Sequence, residues 1–382
     1  MMVQVFTNAK LVMADEVVDG GTLLAGSDGR ILDISTTPVE VTHAIDCEGD
    51  FLIPGLIELH TDNLEKHTTP RPKTEWPPVA AVVAHDCQLA VSGITTVFDA
   101  IALGSVVETS ERVRQLASMV EGITEARRQN LLRADHLIHL RCEVSYPKLK
   151  CLFDEFVRHP LLRLVSIMDH TPGQRQFVSE EQYRIYYQGK FGLSDEEMEI
   201  FTNERKRDQE RYGDDHRRYV VATCKERNIS LASHDDATQE HVDEALANGM
   251  SIAEFPTTVD AAKASHDAGL KVMMGGPNIV RGGSHSGNVS ARELAVERVL
   301  DIVSSDYIPN SMLHAAFKLT DDQHGFNLPQ AIRAVTKTPA DAANLYDRGE
   351  ISVGKRADLV RVRYASDLPL VKGVWRDGQR IA

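Results

Sequence analysis

The chain has 382 residues, 42% of them apolar and 26% charged, enough to bury a sizeable core as about two domains or as one large α/β barrel with an accessory piece. A formal net charge of −14 argues against a general nucleic-acid binder or a membrane-surface protein, and an anionic substrate would need a local cationic pocket or metal ions. The five cysteines include no C-x-x-C pair, no apolar run is long enough for a membrane span, and the start lacks a basic stretch followed by an apolar one, so the expectation is a reduced, cytoplasmic protein.

Residues 1–50 read as short strands separated by turns, as in "VQVFTNAKLVM" and "GTLLAGSDGRILDIS". The tail "GEISVGKRADLVRVRY" has the same character, so 1–50 and 350–382 are expected to share one small sheet domain. Between them, over 51–349, strands alternate with helical stretches. Eight candidate strands fall near 56–62, 94–100, 136–144, 163–170, 230–236, 251–257, 271–276 and 301–306. Eight such units close naturally into a (β/α)8 barrel of the TIM type, with its active site at the C-terminal ends of the strands. The longest connection, about 171–229, carries a capping box from Ser194 to Glu197 and the run "NERKRDQERYGDDHRR", read as a solvated helix face.

The strand ends carry the chemistry. In "LIPGLIELHTDNLEKH" the first strand closes on His60 and Asp62, two residues apart and so on one side of the strand. Glu143 ends the third strand, His170 the fourth, His234 the fifth, Glu254 the sixth and Asp306 the eighth. Each alone has an ordinary explanation: a solvated acid, a turn residue, or a helix entry with Asp235 or Asp236 as cap. Their coincidence at one end of a barrel points to a divalent metal site, since imidazole and carboxylate suit Zn²⁺ or Mn²⁺.

After the seventh strand comes "GGPNIVRGGSHSGNVSARE". Gly276, Gly282, Gly283 and Gly287 could let backbone N–H groups approach an anion, and Ser290 with Glu293 predicts a helix from Ala291. Asn278, Arg281 and His285 add donors, in the part of a barrel where phosphate often sits. Lys66, His67, Arg71 and Lys73 form a second cationic group after the first strand, and Gln174 with Arg175 a third after the fourth. These are the candidate substrate contacts; a glycine-rich lid and plain surface charge are the alternatives.

"LIPGLIELHTD" resembles the opening motif of the amidohydrolase superfamily, and "GEISVGKRADLV" its closing segment. "HTDNLEKHTTPRP", "SHDDAT", "IAEFPTT" and "GGPNIVRGGSHSGNVSA" are similar to one branch, the diphosphatases of the carbon–phosphorus lyase pathway. The resemblance implies a metal-dependent barrel with a small β-sandwich built from both chain ends. It implies one or two divalent ions, Zn²⁺ first with Mn²⁺ or Ni²⁺ as alternatives, on His60, Asp62, Glu143, His170, His234 and Asp306. Two departures stand out: Asp62 replaces the usual second histidine, and Glu143 stands in for the usual bridging lysine. Whether His170 or Glu254 completes the set is left open by the strand count.

The resemblance further implies a small polyphosphorylated ribose as substrate. The expected reaction is hydrolysis of α-D-ribose 1-methylphosphonate 5-triphosphate to the 5-phosphate and pyrophosphate, with Asp306 as proton acceptor. The alternatives are C–N hydrolysis of a phosphorylated small molecule and a barrel without catalysis. No nucleic-acid or membrane partner is expected, and a homodimer is a base-rate expectation.

Overall fold

A computed structural model describes residues 3–105, 111–175, 180–284 and 288–382. The chain begins with β1 (Gln4–Val12), β2 (Val17–Ala25), β3 (Ile31–Ser35), β4 (Ile45–Asp46) and β5 (Phe51–Pro54). Strands β6 (Leu56–Thr61), β7 (Ile94–Leu103), β8 (Asp135–Glu143), β9 (Leu162–Met168), β10 (Ser230–His234), β11 (Ile252–Glu254), β12 (Lys271–Gly275) and β13 (Ile302–Ser304) then alternate with helices. The end of the chain adds β14 (Leu359–Ala365), β15 (Leu368–Arg376) and β16 (Gln379–Arg380).

Both chain ends build one mixed sheet in the order β16-β15-β14-β5-β1-β2-β3, with β4 also on β1. Strand β5 lies antiparallel to β14 and parallel to β1, so it stitches the two ends together. The sheet therefore reaches Pro54, past the expected boundary at residue 50. The reason is local: "FLIPGLIELH" reads as one apolar run, but it breaks at Gly55. A Cβ there would meet the Thr95 side chain at 2.2 Å, so only glycine lets the chain turn against the barrel. The sheet curls over its own core: Phe6 on β1 and Trp375 on β15 are not neighbours in strand order, yet their rings meet edge to face at 4.9 Å.

Strands β6 to β13 pair in chain order, all parallel, as predicted. Ile57, Leu59, Phe98, Leu164, Ala232, Ile252, Met273 and Ile302 fill the barrel. Each fully buried large apolar side chain contributes about 1.5–3 kcal/mol. Closure between β13 and β6 is narrow: the Asp306 N–H donates to the His60 carbonyl at 3.1 Å, and the Asp62 N–H to the Asp306 carbonyl at 3.2 Å. Glu58, fully buried, strengthens that seam by accepting from the backbone N–H groups of His60 and Ser305. Burial pushes its carboxyl up to about 7. The seam thus fixes the ends of β6 and β13, where three candidate site residues emerge.

The capping box at Ser194 forms in full and starts a 32-residue helix, Asp195–Glu226. Much of its charged run is exposed, but His216 and Arg217 are buried against the barrel. His216 Nδ1 donates to the Val144 carbonyl at 2.9 Å, and Arg217 pairs with Asp214 and Glu244. Residues 64–68 form a short helix just after β6.

Candidate metal centre

The C-terminal strand ends enclose a cavity of about 310 Å³, within the usual size of a small-molecule site. His60, Asp62, Glu143, His170, His234 and Asp306 all line it, so strands one, three, four, five and eight converge as expected. Three residues just past strand ends hold left-handed backbone: Asp235 at φ 56°, Phe255 at φ 55° and Asp306 at φ 54°. Non-glycine residues adopt it at a cost, and such residues gather at functional sites. At Asp306 the conformation is pinned through its N–H, its carbonyl and the Thr61 hydroxyl, which donates to that carbonyl at 2.7 Å. Gly275 leaves room beside it: a Cβ there would sit 3.5 Å from Asp306 Oδ2.

Two buried glutamates hold three imidazoles. Glu254 accepts from His60 Nδ1 at 2.6 Å on one oxygen and from His234 Nδ1 at 2.5 Å on the other. Glu143 accepts from His170 Nδ1 at 2.7 Å and from the Ser145 hydroxyl at 2.7 Å. The rings of His60 and His234 stack at 6.2 Å, and those of His170 and His234 meet at 5.7 Å. Burial works against every charge here, but the pairing prevails. Glu254 is held well below the usual carboxylate range by His60 and His234, and Glu143 is lowered by His170. His60 and His170 are correspondingly raised by their glutamates. His170 and Glu254 differ in place: His170 lines the cavity, while each oxygen of Glu254 accepts from a histidine Nδ1.

Other expected contacts separate by geometry. Asn278 and Arg281 line the cavity. They sit on a helix, Gly276–Arg281, and Gly275 before it and Gly283 after it also line the cavity. Gly276 is there because a Cβ would meet Ser311 Oγ at 2.9 Å, and Gly282 because it caps the helix at φ 91°. The helix from Ala291 forms as predicted, with Ser290 accepting from the Glu293 N–H at 3.1 Å. His285 and Gly287 lie outside the described residues. Lys66 is exposed, its ammonium bonded to the Tyr307 carbonyl and 5.2 Å from that ring. His67 turns to Gln88, with Nε2 donating at 3.1 Å. Arg175 is buried and committed to Asp236 and Glu244. Lys66, His67, Gln174 and Arg175 are not among the lining residues. Local polar partners hold Lys66, His67 and Arg175, and the Gln174 N–H bonds the Thr171 carbonyl in a turn, so substrate contact by these four stays an expectation.

Sequence reading passed over Asp235 and Arg141, which both line the cavity. Asp235 Oδ2 lies 3.3 Å from His234 Nε2 and 3.7 Å from His170 Nε2. Read in sequence, Asp235 looked like a helix cap. Arg141 stands two residues before Glu143, and the same alternation that paired His60 with Asp62 could have found it. Behind them His139 is fully buried, its Nδ1 donating to the Leu59 carbonyl and its Nε2 meeting Ser166 Oγ. Burial pushes it down to about 3, so it is a neutral support under His60.

The residues fit a divalent ion. His170, His234 and Asp235 each offer one ligand atom, all within 4.8 Å of one another. Asp235 Oδ2 is buried without a hydrogen-bond partner among the described residues, and a buried carboxylate oxygen left so is costly unless a ligand meets it.

The model of the amidohydrolase family matches residues 180–381. The chain is 49% identical over 378 residues to the Escherichia coli (strain K12) alpha-D-ribose 1-methylphosphonate 5-triphosphate diphosphatase, covering 99% of this chain and 100% of that protein. Among solved structures it is similar to N-acetylglucosamine-6-phosphate deacetylase from Pasteurella multocida, at 15% identity and a TM-score of 0.64, covering 99% of each chain. It is also similar to 5-methylcytosine deaminase from Klebsiella pneumoniae, at 14% identity and a TM-score of 0.66, covering 99% of this chain and 98% of that one. At those identities the two structures speak for the fold alone. No helix among the described residues is long and apolar enough to cross a membrane.

Proposed function

We propose, for a chain that belongs to the amidohydrolase family, that it is a metal-dependent diphosphatase acting on α-D-ribose 1-methylphosphonate 5-triphosphate, with the 5-phosphate and pyrophosphate as products. The observation that carries this reading is one cavity that joins a histidine–carboxylate donor set to two arginines, Arg141 and Arg281. The full-length likeness to a diphosphatase supports the substrate. His60, Asp62, Glu143, His170, His234 and Asp306 would hold one or two divalent ions, joined by Asp235, with Zn²⁺ favoured by the donor chemistry and Mn²⁺ or Ni²⁺ as alternatives. Such an ion lowers the pKa of water and neutralises charge on phosphoryl oxygens.

The chain's own groups do the rest. Glu254 holds His60 and His234 in one tautomer, with the Nδ1 proton on each ring. Asp306 accepts a proton from the attacking water at its carboxylate. The water oxygen bonds to the phosphorus nearest the sugar, and the bond from that phosphorus to the bridging oxygen breaks. The electron pair leaves on that oxygen as pyrophosphate. Asn278 and Arg281 meet the polyphosphate from the helix after β12.

Phosphorus NMR of the metal-loaded protein with a ribosyl triphosphate tests the reading. Pyrophosphate and a sugar 5-phosphate should appear together. In ¹⁸O-water the label should enter the sugar phosphate. Release of ammonia or a carboxylate from a phosphorylated amide, with no pyrophosphate from any triphosphate, would replace this reading by C–N hydrolysis.

A further inference from the structure

Most arginines around the barrel mouth are spent. Arg175 is paired with Asp236 and Glu244, and Arg217 with Asp214 and Glu244. Arg141 differs. It lies on β8 with His139 two residues before it and Glu143 two residues after, so the three share the inner face and rise from the support layer to the donor layer. It lines the cavity, and its Nε is buried with no hydrogen-bond partner among the described residues; the Nε of Arg217 is left so too, but Arg217 has carboxylate partners and Arg141 has none among the described residues. A guanidinium stays charged at any working pH, so a buried N–H left unmatched is an expensive feature to keep without a ligand.

The cavity needs such a group. Asp62, Glu143, Asp235 and Asp306 line it, in a chain of net charge −14, and these acids repel a polyphosphate. The second lining arginine, Arg281, is exposed at the end of the helix Gly276–Arg281. One guanidinium is therefore deep, beside the histidines, and one is shallow, at the rim. A linear chain of phosphates entering by its sugar end meets them in that order.

We propose that Arg141 is a catalytic residue that grips two non-bridging oxygens of the phosphoryl group under attack, while Arg281 takes the pyrophosphate that departs. This deepens the diphosphatase reading and rests on it. As the water oxygen bonds to that phosphorus and the bridging bond breaks, negative charge shifts from the bridging bond onto the leaving pyrophosphate. Arg141 keeps the reacting group in line, and Arg281 meets the charge that leaves.

Three proteins decide this: the metal-loaded wild type, Arg141→Gln and Arg281→Gln. Calorimetry with inorganic tripolyphosphate reads binding without turnover, and kinetics with a ribosyl triphosphate read the reaction. Arg141→Gln should lower kcat about 100-fold and weaken tripolyphosphate about tenfold, with metal content and melting temperature unchanged. Arg281→Gln should raise the inhibition constant of pyrophosphate about tenfold and lower kcat as well, by less than Arg141→Gln does. Wild-type kcat and wild-type tripolyphosphate affinity in Arg141→Gln would overturn the proposal. Should Arg141→Gln lose its metal or fail to fold, Arg141→Lys takes its place. An ammonium cannot supply two parallel N–H bonds, so a kcat within threefold of wild type would overturn the clamp and a drop of tenfold or more would support it. If the wild type binds tripolyphosphate through Arg141 yet releases no pyrophosphate from any triphosphate, the diphosphatase reading fails and the catalytic role fails with it. If pyrophosphate is released and Arg141 proves silent, only the proposal here fails.

Discussion

Two groups of histidines and carboxylates lie on opposite sides of the same barrel wall. One faces the cavity. The other, His85, Asp86, Asp99 and His136, lies between β7, β8 and the helix Pro78–Val91, fully buried. By residue type they are hard to tell apart, and either could be taken for a metal site. Hydrogen bonding separates them. In the outer group every ring nitrogen has a protein partner. His85 Nε2 donates to Asp99 at 2.9 Å, and its Nδ1 accepts from the Asn63 amide at 3.0 Å. His136 donates to Asp99 at 2.7 Å and to Asp86 at 3.3 Å. Asp86 also accepts from the backbone of Arg133 and Ala134. That group is closed and reads as a polar rivet between helix and barrel. The inner group leaves Asp235 Oδ2 and Arg141 Nε without hydrogen-bond partners among the described residues, on two residues that line a cavity. A set of ligands differs from a structural network in what it leaves unsatisfied, rather than in its composition.

Substitutions can break this distinction or sharpen it. The largest effect on the inner group is expected from Asp306→Asn, which keeps shape but removes the proton acceptor. Turnover should fall by about 10²–10⁴-fold while elemental analysis still finds metal; a near-normal rate would take Asp306 out of that role. In the outer group, Asp99→Asn leaves His136 without its main counter-charge and should cost about 3–5 kcal/mol of stability, with turnover per folded molecule nearly unchanged. A loss of metal stoichiometry in this variant would mean that the outer group also holds an ion. Glu254→Gln falls between the two groups in kind, since Glu254 acts through histidines that it orients. It should weaken metal binding by about 10–100-fold in competition with a chelating dye, and unchanged affinity would remove Glu254 from that role.

Acid and base should act on the outer group in a defined sense. Burial works against charge there, but Asp99 and Asp86 raise His136 from 6.5 to about 9, and His136 lowers Asp99 from 3.8 to about 2. The folded protein therefore holds the His136 proton more tightly than the unfolded chain does. The stabilisation is complete below pH 6.5 and is lost as pH rises through about 9. For Asp99 it is present above 3.8 and lost as pH falls through about 2. Melting temperature should fall by a few degrees between pH 6.5 and 9, and this part of the slope should vanish in His136→Gln. An unchanged slope in that variant would mean that His136 is neutral in the fold.

Much of this was legible in the sequence because it follows from alternation and order along the chain. Strand ends, the pairing of His60 with Asp62, and the Ser194 cap are local properties. The glycine-rich segment was only partly legible because glycine signals both an open loop and a close approach. Gly276 is a case of the second, pressed against Ser311 inside a helix start. The partners of Lys66, His67 and Arg175 were not legible for a related reason: a side chain beside a site is drawn to whichever anion or carbonyl is nearest, and that neighbour comes from another strand or helix.

The sequence alone determined the eight-strand barrel, the sheet shared by both chain ends and most of the imidazoles and carboxylates that line the cavity, since hydrophobic period and strand-end position are written into neighbouring residues. Only the tertiary structure decided that Glu254 orients His60 and His234, that Asp235 turns into the cavity, and that Arg141 keeps a buried N–H unmatched while Arg175 does not. Those outcomes depend on which side chains from distant strands come within hydrogen-bond reach, over separations as long as the 194 residues between His60 and Glu254. Buried charges settle on whatever partner burial leaves them, and that choice belongs to the closed barrel.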